Sequence, residues 1–258
     1  FNGANSIYSS YSVAHREPTR DDFIQAFGKN EVKPERLDNL ETGWKYKNRN
    51  YTFSINGFLM NYTNQLVLTG QVNDVGAFVR TNVAKSYRLG MEADFSWKIT
   101  RMLDFSGNIA LSRNKISNFT EFIPDFDTGI AQENNFAETD IAFSPQINTG
   151  GTLAFSPIKT LTFSFISKYI GSQFLDNTSN ETRKMNGFLV NNLLLNWQIK
   201  TKFCKEISVN ALLNNIFNEA YEPNGYTFSY IFGGQAFTEN YYYPQAGFNF
   251  MAGVTLKF

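Results

Sequence analysis

Phe248-Asn249-Phe250-Met251-Ala252-Gly253-Val254-Thr255-Leu256-Lys257-Phe258 closes the chain. Phe248, Phe250, Ala252, Val254, Leu256 and Phe258 share one parity, and Asn249, Met251, Gly253, Thr255 and Lys257 the other. That period of two belongs to a β-strand with one apolar and one wetter face. Such a strand needs neighbours of the same period, and the chain supplies them.

The clearest neighbour runs from Tyr87 to Ile99. Tyr87, Leu89, Met91, Ala93, Phe95, Trp97 and Ile99 alternate with Arg88, Gly90, Glu92, Asp94, Ser96 and Lys98, so four of six positions on one face are charged. Water must reach that face, either in bulk or inside a hydrated lumen. The turn Thr100-Arg101-Met102 leads into Leu103 to Ser112. Similar alternation marks Ile7 to Ala14, a strand ending at Lys47, Tyr51 to Asn61 with an extension through Leu66 after a bulge, Ile147 to Phe155, Leu161 to Tyr169, Leu189 to Ile199 and Ile207 to Phe217. With the closing strand the count is ten.

The connections alternate without exception. Short turns are expected at 48–50, 100–102, 157–159 and 201–205, and long irregular loops at 16–36, 65–86, 114–145, 171–187 and 218–246. Structureless connections beyond about 15 residues are uncommon in compact domains and tend to be functional where they occur. Long loops at one end and tight turns at the other are the signature of an up-and-down membrane barrel, whose strands of about 9–11 residues suit a tilted crossing. The alternative is a soluble sandwich, which would have to bury Phe95, Trp97, Phe163 and Phe165 between two sheets.

Composition agrees with a barrel. The 258 residues are 42% hydrophobic, and no run approaches the roughly 18 apolar residues of a membrane helix. Phe and Tyr, at 26 and 13 copies, dominate an aromatic content of 16%, as a lipid-facing and interfacial surface would require. The mean hydropathy of −0.31 suits strands whose second face is polar. Lys and Arg balance Asp and Glu at 23 each and form no basic stripe, which argues against a nucleic-acid partner. The single cysteine, Cys204, allows no internal disulfide and reads as a spectator.

Several short motifs follow one another in a family's order. Tyr11-Ser12-Val13-Ala14-His15-Arg16-Glu17-Pro18-Thr19 is similar to a strand end that often reads Phe-Arg-Ala-Pro. Lys33-Pro34-Glu35 with Glu41-Thr42-Gly43, Asn82 with Tyr87 and Gly90-Met91-Glu92, Asn214-Asn215-Ile216-Phe217-Asn218 with Tyr221, and Tyr243-Pro244-Gln245-Ala246-Gly247 with Phe250 and Phe258 complete the set. Together they resemble the carboxy-terminal part of TonB-dependent outer-membrane receptors, in the version common in Bacteroidetes. The closing strand is similar to the barrel-assembly signal of outer-membrane proteins, carried here by Gly253, Leu256 and Phe258, although Met251 stands where a polar residue is usual.

The resemblance implies an all-β, antiparallel up-and-down transmembrane β-barrel in the bacterial cell outer membrane, of which residues 1–258 are about ten carboxy-terminal strands. Full receptors close roughly 22 strands around a plug, so the plug domain and amino-terminal strands are expected elsewhere. It further implies a scarce nutrient as cargo: a ferric siderophore, haem, cobalamin or a glycan. Its partners would be outer-membrane lipid, the TonB complex acting through the missing plug and, as a further candidate, a surface lipoprotein. No cofactor is implied. A passive porin is the runner-up, followed by a ten-stranded outer-membrane protease.

Aromatic and cationic side chains near the long loops are the candidate ligand contacts: Arg80, Arg88, Tyr221, Tyr226, Tyr230, Tyr241 and Tyr242. Girdle or loop packing is the competing role of each. His15, the one histidine, reads as a strand-end residue rather than a haem ligand. Asp125, Asp127 and Asp140 lack the spacing of an EF-hand and read as solvated loop carboxylates.

Overall fold

The computed structural model describes residues 4–25, 32–72 and 78–258. Ten strands form one antiparallel sheet: β1 (Asn5–Arg16), β2 (Glu35–Lys47), β3 (Tyr51–Val72), β4 (Phe78–Lys98), β5 (Leu103–Ile123), β7 (Ile147–Ile158), β8 (Leu161–Ile170), β11 (Phe188–Ile199), β12 (Glu206–Asn214) and β15 (Asn249–Lys257). Each pairs with the next in that order, while β6 (Gln132–Asp140) pairs with β5 beside the main path. Two small ladders stand apart, β9 (Gln173–Phe174) with β10 (Lys184–Met185), and β13 (Gly225–Phe232) with β14 (Gln235–Tyr242). A short helix, α1 (Arg20–Gln25), follows β1.

Side-chain exposure along the wall excludes the sandwich. Trp97 is 49% exposed and Phe163 45%, and no second sheet covers them among the described residues. Leu89, Met91, Leu111, Leu153, Leu193, Val254 and Leu256 are exposed as well. An apolar surface this broad calls for a hydrocarbon solvent. Among the described residues no helix is long and apolar enough to cross a membrane.

Glycines on the wall receive rings from the neighbouring strand. Tyr8 pairs with Gly43 and Phe58 with Gly90. A Cβ added at either glycine would lie 2.4 Å from an atom already there, the Tyr8 ring in one case and the Leu111 carbonyl oxygen in the other. Both glycines belong to motifs quoted above, so those motifs mark places where an aromatic ring lies flat across the ladder.

The short turns lie where expected and are held locally. Asn48 Oδ1 accepts the Asn50 and Tyr51 amides, both at 2.8 Å. At the last short turn the Thr201 hydroxyl accepts the Cys204 amide at 3.1 Å, placing Cys204 half-buried at that end.

The long loops differ from expectation. Residues 65–86 are not mainly loop: β3 runs on to Val72 and β4 begins at Phe78, burying Leu66, Val67, Val79 and Val83. Within this stretch Asn73-Asp74 and Gly76, residues that favour a turn in the sequence, lie outside the described residues. The expected bulge after Asn61 is displaced as well. Pairing holds through Leu68, with the register shift falling between Leu68 and Val72.

Residues 114–145 contain ordered strand too, because β5 continues to Ile123 and β6 folds back on it. Asn118 has φ 56°, and the burial phase inverts there: Asn114 and Ile116 are buried before it, Phe119 and Ile123 after it. A left-handed residue rotates the strand, so the period of two is lost from the sequence while the strand continues. Asn64, at φ 54°, occupies the corresponding place in β3.

Residues 218–246 hold a hairpin rather than a loop. Gly233 and Gly234, at φ 60° and 70°, form its two-residue turn. The polar stretch 16–36 contains α1, started by Thr19, whose amide and hydroxyl donate to Asp22 at 2.7 and 2.8 Å.

The extended ends of β3, β4, β5 and β6 enclose the main buried cluster, Val67, Val83, Ile116, Phe119 and Ile141, with Phe136 against it. The strand wall thus carries a packed head at its long-loop end.

Candidate functional site

The head is tied together by buried polar groups. Asn177, fully buried, accepts the Ala142 amide at 2.8 Å and donates to the Leu68 carbonyl. Ser179 and Asp140 exchange two hydrogen bonds, Ser179 Oγ accepting the Asp140 amide at 2.6 Å and donating to its carboxylate at 2.9 Å. Arg183 reaches Asp176 at 2.7 Å, Glu121 at the end of β5, and the Thr238 hydroxyl of β14 at 3.4 Å. Burial pulls the Arg183 pKa down, but Asp176 and Glu121 outweigh it and hold the guanidinium above its ordinary range. The segment between β8 and β11 is thereby fastened to β3, β5, β6 and the hairpin at once.

The hairpin uses its two faces differently. Thr227 and Ser229 are buried, with Thr227 donating to Asn240 at 2.8 Å and Ser229 lying 3.0 Å from Thr238. That polar face meets the Arg183 segment, and Asn240 donates to the Thr182 carbonyl at 2.8 Å. β13 also lies against β3 and β5. At the tip, the Asp127 carboxylate accepts the amides of Gly233 at 2.9 Å and Gly234 at 2.7 Å. Phe126 and Ile231 add a backbone bond of 2.9 Å.

The other face is a strip of rings. Tyr226 stacks on Tyr241 at 4.7 Å and 12°, and Tyr230 on Phe237 at 5.4 Å and 21°. Phe228 lies 5.5 Å from Tyr230, and Phe126 extends the strip at 5.9 Å from Tyr230. Between the pairs stands Glu239, opposite Phe228 in register. It accepts the Tyr230 hydroxyl at 3.1 Å and the Tyr241 hydroxyl as well. Hydrogen bonding to Glu239 raises both phenol pKa values.

Of the seven candidate contacts, the structure brings three together: Tyr226, Tyr230 and Tyr241. Tyr242 is on the hairpin's other parity, opposite Gly225. Arg80 pairs with Asp22 at 3.3 Å and holds α1. Arg88 donates to Asn114 at 3.2 Å and Ser144 at 3.0 Å. Tyr221 stacks on Phe188 at 4.4 Å. The sequence reading missed Phe126, Phe228, Phe237, Glu239 and Arg183. Gly233-Gly234 between alternating residues was the signal for the hairpin members; nothing local marked Arg183.

The aspartates serve as loop fasteners. Asp125 accepts the amides of Asp127 at 2.8 Å and Thr128 at 3.2 Å, and Asp140 pairs with Lys115 at 2.9 Å. No cluster of three or more metal-ligating residues occurs among the described residues. His15 pairs in register with Arg36 on the outermost strand of the sheet.

The motif residues converge at this same end. Asn82 donates to the Lys33 carbonyl at 3.0 Å and the Asn64 carbonyl at 2.7 Å. Glu35 accepts the Leu66 amide at 3.0 Å and faces Arg16 at 3.7 Å. Asn215 and Asn218 adopt left-handed backbone at the end of β12; Asn215 bonds to both backbone groups of Glu219, and Asn218 accepts the Phe248 amide at 2.9 Å.

Comparisons with known proteins agree with this fold. Among solved structures, the ferric-catecholate import receptor Fiu from E. coli K12 superposes with a TM-score of 0.65 at 15% identity, covering 96% of this chain and 32% of that one. The copper transporter OprC gives 0.70 at 15% identity, covering 98% and 37%. The ferric yersiniabactin uptake receptor FyuA from Yersinia pestis gives 0.63 at 15% identity, covering 98% and 34%. The chain therefore spans about a third of the length of these structures. No curated protein sequence matches it. The family profile described as "TonB dependent receptor-like, beta-barrel" matches residues 1–216, and the chain belongs to that family of outer-membrane transport receptors.

Proposed function

We propose that this chain is the carboxy-terminal part of an outer-membrane receptor that captures a scarce nutrient at its long-loop end and imports it with TonB-derived energy. The long loops face the outside and the short turns the periplasm. The plug domain and remaining strands come from the rest of the protein, and the TonB complex acts through that plug. The cargo classes are ferric siderophores, haem, cobalamin and glycans, with a surface lipoprotein as a candidate accessory. No bond in the cargo is made or broken by this wall.

The observation that carries this reading is the division of the wall: a lipid-suited apolar band along the strands and, at the long-loop end, a built head presenting a half-exposed aromatic strip. Within that head, Tyr226, Tyr230 and Tyr241 are the contacts, while Arg80, Arg88, Tyr221 and Tyr242 position loops. Gly253 and Leu256 on β15, with Phe258 just after it, form the assembly signal, and removing Phe258 lowers the amount of receptor inserted in the membrane.

Uptake measured in cells with and without TonB tests the reading. Import that stops without TonB supports it. Import that continues unchanged favours the passive porin.

A further inference from the structure

The charge around the aromatic strip narrows the class of cargo. The segments that carry it, residues 116–146 and 218–248, contain nine acidic residues and no Lys, Arg or His, and three of the nine, Glu121, Glu138 and Asp140, are paired with Arg183, Arg113 and Lys115. Nearby cations are engaged: Arg183 with Glu121 and Asp176, Lys115 with Asp140, Lys184 with Glu181. Recognition of an anion requires free guanidinium, ammonium or amide donors, and here two such amides, those of Gly233 and Gly234, are spent on Asp127. The field at the strip repels anions.

The polar groups of the strip point to the same class. Tyr230 and Tyr241 donate their protons to Glu239, so what they and the carboxylate still offer are lone pairs. Toward these three groups a ligand must bring the donors. The ring pairs are stacked rather than set around a point, which makes a flat platform and not a cage for a compact cation. Tyr226 and Tyr230, four residues apart on one strand, place the two pairs about 13 Å apart at the usual strand rise. A platform of that length suits successive flat rings of a chain bearing hydroxyl donors.

We propose that the outer face of the β13–β14 hairpin binds a neutral oligosaccharide, its sugar rings lying on Tyr226, Phe228, Tyr230, Phe237 and Tyr241 and its hydroxyls donating to Glu239. The inference rests on the import reading above and specifies its cargo. Anionic ferric catecholates are excluded from this surface by charge, whatever the fold is shared with.

Calorimetry on the full-length receptor in detergent tests it, using neutral linear hexasaccharides of α-glucose, β-glucose, mannose and xylose, a ferric tris-catecholate, and hexalysine as the cationic probe. The expected result is binding of at least one hexasaccharide, weakened tenfold or more in Tyr226→Ala and Tyr230→Ala. Tyr226→Phe, which keeps the ring, retains most of the affinity and shows that ring loss rather than misfolding is responsible. Binding of none of the sugars, tighter binding of the ferric complex or of hexalysine, or sugar affinity unchanged in both alanine variants overturns it. Uptake in a TonB-deficient strain separates the two readings. TonB-dependent uptake of the ferric complex without sugar binding sinks this inference alone, whereas sugar binding with TonB-independent uptake sinks the import mechanism alone.

Discussion

At the scale of single residues, the two wall glycines separate two kinds of crowding. At Gly43 the atoms an added Cβ would meet all belong to the Tyr8 ring, whereas at Gly90 the nearest is the Leu111 backbone oxygen, with the Phe58 ring next. Gly43→Ala should cost about 1–3 kcal/mol by overpacking, and Tyr8→Ala should restore the loss. Gly90→Ala should not be rescued by Phe58→Ala, because backbone cannot step aside. The yield of folded, heat-modifiable receptor in the outer membrane measures both. Asp22 offers a pH-dependent counterpart. Burial raises its pKa, but the Thr19 amide and hydroxyl and the Arg80 guanidinium outweigh this and lower it below the usual carboxylate value. A depressed folded pKa gives stability that is present above the unfolded value of about 3.9 and lost as pH falls through the folded value. Amide protection across α1 should therefore hold at pH 5 and fall below pH 4. In Asp22→Asn it should be weak at both.

At the scale of elements, the segment between β8 and β11 acts as a strut. Arg183 joins Glu121 on β5 and Asp176 of its own segment, and all three side chains are buried or nearly so. Removing one member of a buried ion group leaves the others uncompensated, at about 3–5 kcal/mol. Arg183→Met should loosen the hairpin and the β5–β6 extension together, seen as faster proteolysis within 124–131 and 233–234 while the wall stays resistant. A double change, Arg183→Met with Glu121→Leu, should recover part of that loss. Equal cleavage in native and Arg183→Met protein would show that the strut carries no load.

How much of this was legible follows from the physics of each element. The wall strands could be read because lipid on one side and water on the other imprint a period of two. The head could not, since the left-handed Asn118 inverts the phase of β5 mid-strand, and beyond the left-handed Asn64 of β3 the consecutive Gln65, Leu66 and Val67 are all buried, so the period of two is lost where both strands enter it. The hairpin carried a usable signal in Gly233-Gly234, hidden by the density of tyrosines around it. Arg183 was invisible for another reason: its partners lie 62 and 7 residues away, and only the fold brings them together. Three of the seven candidate contacts share one surface because aromatic residues near a loop end are easy to nominate. Arginines are harder, since a free cation and one already paired look alike in sequence.

At the scale of the whole molecule, the ten-strand path ends at β1 and β15, each with one hydrogen-bonded neighbour. Open edges of that length invite pairing with other chains. Residues 1–258 expressed alone in detergent should associate through those edges and run as oligomers by light scattering. The same residues within the full-length receptor should be monodisperse. A monomeric, protease-resistant 258-residue product would mean the edges protect themselves by some means the sheet does not display.

Cys204 sits half-buried in the turn between β11 and β12, at the end of the wall remote from the ring platform, bonded to the Thr201 hydroxyl. In a receptor stripped of any other thiol it becomes a compass needle. A membrane-impermeant maleimide offered to intact cells should pass it by, and the same reagent offered after the outer membrane is breached should find it, reporting which way the molecule faces without any knowledge of what it carries.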